Sequence, residues 1–264
     1  MYNEIWDTPS VEPGVATAVG PGLSSILTVN GSMPIGNGDL TASVFPDVER
    51  GSIVLWLGKQ DAISDSSMPF KLGQVELALS PNPWRSGSTF FSQTLDLPTA
   101  TVTILAGGSS EADYSAKLEA FIDIDSAVAH IIATPGPAGG NCNFSATITL
   151  TALHPVDKPW GVSDLRRCAG APQLYPPDTM LGDAITGPSS IGIYHRNAAR
   201  STMLLNELHE QGLDSLAGSH ADPRLYGVQI ANRTFGLAGK YTSRHSSINQ
   251  APEWLGSIKR QNVL

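Results

Sequence analysis

Three groups of residues in this chain carry side chains suited to chemistry. The first is Lys59-Gln60-Asp61, followed by Lys71. A carboxylate flanked by ammonium groups is held ionised. In a carbohydrate site such a set hydrogen-bonds hydroxyls; on an open surface it is an ion-pair set contributing about 0–1 kcal/mol. The second is the turn Pro34-Ile35-Gly36-Asn37-Gly38-Asp39. Asn-Gly tolerates positive φ and Pro34 presets its own φ, so the segment reads as a tight turn between strands. The alternative is a turn that aims Asn37 and Asp39 into a sugar-binding cleft. The third is Tyr194-His195-Arg196-Asn197, with Ser201 after it. Four hydrogen-bonding side chains at a strand-to-helix junction suit a polar pocket. They suit a capped helix start equally well, with Asn197 or Ser201 accepting from first-turn amides.

Several chemistries fail on spacing. Thr41 stands where a dinucleotide fingerprint starting at Gly36 needs its third glycine. Around Gly58-Lys59, Gln60 replaces the phosphate-loop hydroxyl and Ile53 its leading glycine. His209-Glu210 opens like a zinc-protease helix, but Leu213 occupies the second histidine position. No Gly-x-Ser-x-Gly elbow is present. The two cysteines, Cys142 and Cys168, lack a Cys-x-x-Cys or histidine-rich partner. They read as buried thiols, or as a disulfide if the chain is secreted. No metal and no cofactor is expected. Glycoside hydrolysis needs two carboxylates about 5–9.5 Å apart; Asp123 and Asp125 share a strand face but read as solvent-side residues.

The elements that must position these groups are strands. Val75, Leu77 and Leu79 fall on one face, and Phe144, Ala146, Ile148 and Leu150 alternate with Ser and Thr. Residues 117–125 alternate apart from Phe121, and 52–57, 101–105 and 128–134 are further candidates. The 26 glycines and 19 prolines punctuate the chain often, as many short strands require. This predicts an all-β fold, a large antiparallel β-sandwich with one or two short helices. One helix is expected over 198–211, stopped by Gly212. From 151 to 188 the pattern fades into a Pro-rich excursion.

Composition sets the class. The chain has 264 residues, 41% of them hydrophobic and 15% charged, enough for a substantial core. A net charge of −8 argues against nucleic acid as partner. No run of apolar residues reaches the ~20 of a membrane span, so no membrane partner is expected. Met1-Tyr2-Asn3-Glu4-Ile5-Trp6 has neither a basic start nor an apolar h-region. The sequons at Asn30, Asn143 and Asn232 carry little weight.

The order of landmarks carries a family resemblance. It runs from Trp6-Asp7-Thr8-Pro9-Ser10 through the Pro-Ile-Gly-Asn-Gly turn, Leu57-Gly58-Lys59-Gln60-Asp61, Phe70-Lys71-Leu72-Gly73 and Phe91-Ser92-Gln93-Thr94 to Tyr194-His195-Arg196-Asn197 and Phe235-Gly236. The series resembles the N-terminal β-sandwich domain of six-hairpin glycosidase-like proteins, related to the N-domain of α-L-fucosidase-type glycoside hydrolases. In particular it is similar to a DUF5703-like domain of unknown function. The resemblance implies a non-catalytic domain that supports or docks onto a helical-barrel catalytic domain, and an extracellular location. Residues 1–26 are then an N-terminal segment with an insertion at 12–26, 27–240 the sandwich, and 241–264 an irregular tail where the chain looks truncated. Two other readings compete. One is a free-standing carbohydrate-binding module, which needs aromatic platforms and has Trp56, Trp84 and Trp160 to offer. The other is a structural remnant without ligand. If sugar or a barrel domain is contacted, the polar positions within the landmarks are expected to do it: Asn37, Asp39, Lys59, Asp61, His195 and Arg196.

Overall fold

The computed structural model describes residues 3–9, 32–63, 69–84, 90–137, 145–153, 178–181, 190–197, 202–217, 225–231 and 239–243. In chain order the strands are β1 (Glu4–Trp6), β2 (Met33–Gly36), β3 (Leu40–Asp47), β4 (Ser52–Ile63) and β5 (Pro69–Ser80). There follow β6 (Phe91–Asp96), β7 (Thr101–Ala106), β8 (Ala116–Ile122), β9 (Ala129–Pro135) and β10 (Ser145–Thr151). The last are β11 (Thr179–Leu181), β12 (Ser190–Arg196), β13 (Leu225–Ala231) and β14 (Gly239–Ser243). The chain is therefore all-β, as its alternation predicts.

The strands form three sheets. Their orders are β1-β6-β7-β8-β9, β14-β10-β5-β4-β3-β2 and β11-β12-β13. Every pairing is antiparallel except β10 with β14, which is parallel. The sheets draw strands from both sides of the 27–240 span, because β1 pairs with β6 and β14 runs to Ser243. Cys142, Cys168, Ser201, Trp160, Phe235, the sequon asparagines and residues 12–26 lie outside the described residues.

Side-chain parity explains the packing. In the six-stranded sheet, Val44, Leu55 and Val75 are cross-strand neighbours on one face and fully buried. Both smaller sheets cover that face. The five-stranded sheet contributes Val102, Ile104 and Leu118, and the three-stranded sheet Ile193, Val228 and Ile230, to one continuous core. Each such side chain contributes roughly 1.5–3 kcal/mol. At Gly73 the third sheet comes so close that a Cβ would stand 2.7 Å from Ile193 Cδ1. On the opposite face of the large sheet, Phe45, Val54 and Trp56 form a second, small apolar cluster.

One α-helix is described, α1 (Thr202–Glu210), within the expected 198–211 span. Gly212 adopts φ +69° and donates to His209 O, while Leu213 N donates to Leu208 O. The left-handed glycine ends the helix by capping its last carbonyls.

Candidate functional site

The Asn37 turn is built by its own side chain. Oδ1 accepts from the amides of Asp39 (3.0 Å) and Leu40 (2.9 Å), and Gly38 takes φ +92°. Nδ2 reaches across the sandwich to the β8–β9 turn, donating to Asp123 O (2.7 Å) and Ser126 O (2.9 Å). An amide offers two donors and two acceptor sites; all are engaged. Asn37 is thus a clasp between the two larger sheets. Asp123 and Asp125 lie in that turn, beyond the end of β8, and not on a strand face as the alternation suggested.

Asp39, Lys59 and Asp61 form one charged cluster. Lys59 Nζ donates to Asp39 Oδ1 at 2.8 Å and to Asp61 Oδ1 at 2.6 Å. The lysine is positioned by a break in pairing: Gly58 stands opposite Lys71 and Ile63 opposite Pro69, so β4 bulges out over residues 59–62. Such bulges re-aim side chains at sheet rims. Burial pulls the Lys59 pKa down, but hydrogen bonds and charge from Asp39 and Asp61 outweigh it and the pKa is raised. Both carboxylates are exposed, Asp61 by two thirds, so the cluster adds little stability. It offers a partner two carboxylates around one ammonium.

Lys71 does not join this cluster. Its ammonium sits 3.8 Å from the Trp56 ring centroid, and burial there lowers its pKa. Trp56 is buried, edge-on to Phe45 at 5.3 Å, with its indole N–H donated to Gln74 Oε1. Trp84 is half-buried and packs against the main core.

His195 faces the interior. Its Nδ1 lies 2.9 Å from Asp178 Oδ1, and both side chains are only 3% exposed. The imidazole stacks on Tyr226 at 5.3 Å. Tyr226 OH donates to Asn197 Oδ1 (3.3 Å), and Asn197 Nδ2 donates to Ile63 O (2.8 Å). The inner face of the third sheet is apolar at Ile191 and Ile193 and turns polar at His195 and Asn197, where this network ties it to the end of β4. Arg196, one residue out of phase, is exposed. Nothing in the sequence points to Asp178: it precedes β11 and is 17 positions from its partner, a separation with no motif behind it.

Three of the six expected residues therefore gather at the surface, and β4 links the segments that carry the others. The Asn37 turn meets β4 through Asp39 and Lys59, and β12 is fastened at Ile63, two residues past Asp61. Asn37 and His195 are committed to internal bonds, and Arg196 stands apart by strand parity. Among the described residues no three His, Cys, Asp or Glu side chains gather for a metal ion, and no helix is long and apolar enough to cross a membrane.

A titration follows from the neighbouring β8–β9 turn. His130 stacks on Phe121 at 4.6 Å; burial lowers its pKa, against the opposing charge of Asp123. Hydrogen bonds from Asp125 N and the Ser126 side chain hold Asp123 below the usual carboxylate range, with His130 adding to this. A histidine depressed in the folded state binds its proton more readily unfolded, so stability falls as pH drops from about 6.5 through the folded value. Denaturation midpoints at neutral pH and about pH 5 should converge in His130→Phe, which keeps the stack and removes the titration. An unchanged pH dependence in that variant would place its source elsewhere.

A family model described as a domain of unknown function (DUF5703) matches residues 25–255. A search of curated proteins finds no match. The match takes in the clasp, the bulge, the buried network and every strand from β2 to β14, so the chain belongs to the DUF5703 domain family.

Proposed function

We propose that this chain acts as a non-catalytic N-terminal β-sandwich domain of a glycosidase-like protein, docking onto a helical-barrel domain through the end of the sandwich where the Asn37 turn, the β4 bulge and the β12 terminus meet. The observation that carries the reading is the state of the polar landmarks. Asn37, His195 and Asn197 are committed to internal bonds, which suits a rigid platform. Asp39, Lys59 and Asp61 stand outward on it as a charged rim. The two outward carboxylates share a single lysine, an arrangement poorly suited to a general acid, which must hold a proton to give. Burial of Trp56 under Lys71 favours docking over the carbohydrate-module reading, which needs an open aromatic face.

The test is a mixing experiment with a separately produced helical-barrel domain of a glycosidase-like protein that carries a DUF5703 domain. A one-to-one complex is expected. Asp39→Lys together with Asp61→Lys should weaken it about tenfold, a loss of ~1.4 kcal/mol, mainly by slowing association. The chain alone should turn over no aryl glycoside. Turnover that one carboxylate substitution abolishes would defeat the proposal, and so would a complex indifferent to both charge reversals.

A further inference from the structure

Among the described residues, the open edges of the three sheets differ in how they are protected. Natural edge strands are kept from pairing by shortness, charge, proline or bulges. β1 and β11 have three residues each, β2 carries Pro34 in its middle, and β14 carries Lys240. β13 also has seven residues in unbroken register and lacks charge and proline, but it carries Gly227, a residue that weakens a strand. β9 has none of these devices along most of its length. Ala129-His130-Ile131-Ile132-Ala133-Thr134-Pro135 contains no Asp, Glu, Lys or Arg, and all seven residues pair with β8 in unbroken register. Only Pro135, at the last position, lacks an amide.

The hydrogen bonds flanking β9 show which backbone groups face outward. Gly136 N donates to Ser115 O, and Asp123 N donates to Val128 O. Even-numbered residues of this segment therefore point their amides and carbonyls at β8, and Ala129, Ile131 and Ala133 point theirs at the open edge. Side chains alternate independently: Ile131 and Ala133 are buried in the core, while Ile132 is 37% exposed on the outer face.

We propose that β9 is a homodimerisation edge, pairing antiparallel with β9 of a second copy about a twofold axis at Ile132. The sequence is self-complementary in that register. Ile131 and Ala133 of the other copy exchange N–H···O bonds, and symmetry repeats the exchange. On the inner face this sets Ile131 beside Ala133 and extends the apolar core row. On the outer face it covers Ile132 with its counterpart and sets His130 beside Thr134. The pairing uses the same edge of both copies, so it closes at two, as a ten-stranded sheet across the dimer.

Sedimentation velocity over a concentration series is the test. The wild-type chain should double in mass as concentration rises. Ile132→Lys places two ammonium groups directly opposite each other at the axis and should stay at one copy throughout; because Ile132 faces outward, its circular dichroism should match wild type. The centre of the pairing is a non-hydrogen-bonded pair with Cα atoms about 4.5 Å apart, within reach of a disulfide. Ile132→Cys, oxidised at high concentration, should give a dimer whose cross-link maps by mass spectrometry to 132–132, while Thr134→Cys should not link to itself. A chain that stays single at its solubility limit overturns the proposal. So does a dimer that persists in Ile132→Lys without a 132–132 link, and so do open-ended oligomers.

Discussion

Asn37→Asp should lower the stability of the folded chain by about 2–3 kcal/mol, close to the loss in Asn37→Ala. Aspartate is as good a turn residue as asparagine and keeps both acceptor bonds to Asp39 N and Leu40 N. What it removes are the two Nδ2 donors. In their place it sets a carboxylate against the carbonyl oxygens of Asp123 and Ser126. Each intramolecular hydrogen bond contributes about 0.5–1.5 kcal/mol net, and an acceptor left unsatisfied costs more. Urea denaturation of the two variants separates the roles. If Asn37→Asp is neutral while Asn37→Ala is not, the residue is only a turn former and the clasp between sheets contributes nothing.

Breaking the buried pair of the third sheet should be costlier. Asp178→Ala is expected to destabilise by about 3 kcal/mol, since removing one member of a buried pair strands the other away from water. His195→Ala should cost a similar amount and also empties the space against Tyr226. The double replacement Asp178→Leu with His195→Phe should recover much of the loss, because both members of the pair are replaced together by apolar groups of similar volume. Denaturant curves of the singles and the double close the cycle. Strictly additive costs would mean that the pair is not a coupled unit. Arg196→Ala, on the opposite face, serves as the surface reference and should change stability by no more than about 0.5 kcal/mol.

The strand framework was legible because most strands bury one face more deeply than the other; β4, buried on both faces over Ser52–Leu57, is the exception. Val75, Leu77 and Leu79 read as one face and form part of the core, and residues 128–134 map onto β9 within one position at each end. Phe121, which breaks the alternation of its strand, proves to be a half-buried outer-face residue stacked on His130. The extension of β4 to Ile63 was less visible, because the bulge over 59–62 breaks the period just where the charged residues sit. Turn chemistry at Asn37-Gly38 could be read locally; the bonds to Asp123 and Ser126, almost ninety positions away, could not. The same holds for Asp178, whose role depends on how the third sheet lands on the large one, a matter of packing that spacing does not encode. Among the expected residues, the local signals identified polar positions well but did not distinguish side chains facing inward from those facing out.

The parallel pairing of β14 with β10 has a consequence for synthesis on the ribosome. Residues 145–151 emerge long before 239–243. Over that interval the growing chain carries Ser145-Ala146-Thr147-Ile148-Thr149-Leu150-Thr151 as an unshielded border of its main sheet, a stretch with no charge and no proline. Segments of that kind are prone to stack with their own copies on neighbouring nascent chains. Translation that stalls after β13 would release a polypeptide with most of its core residues and one adhesive flank. Five residues arriving late thus decide whether the newborn sheet is sealed or sticky.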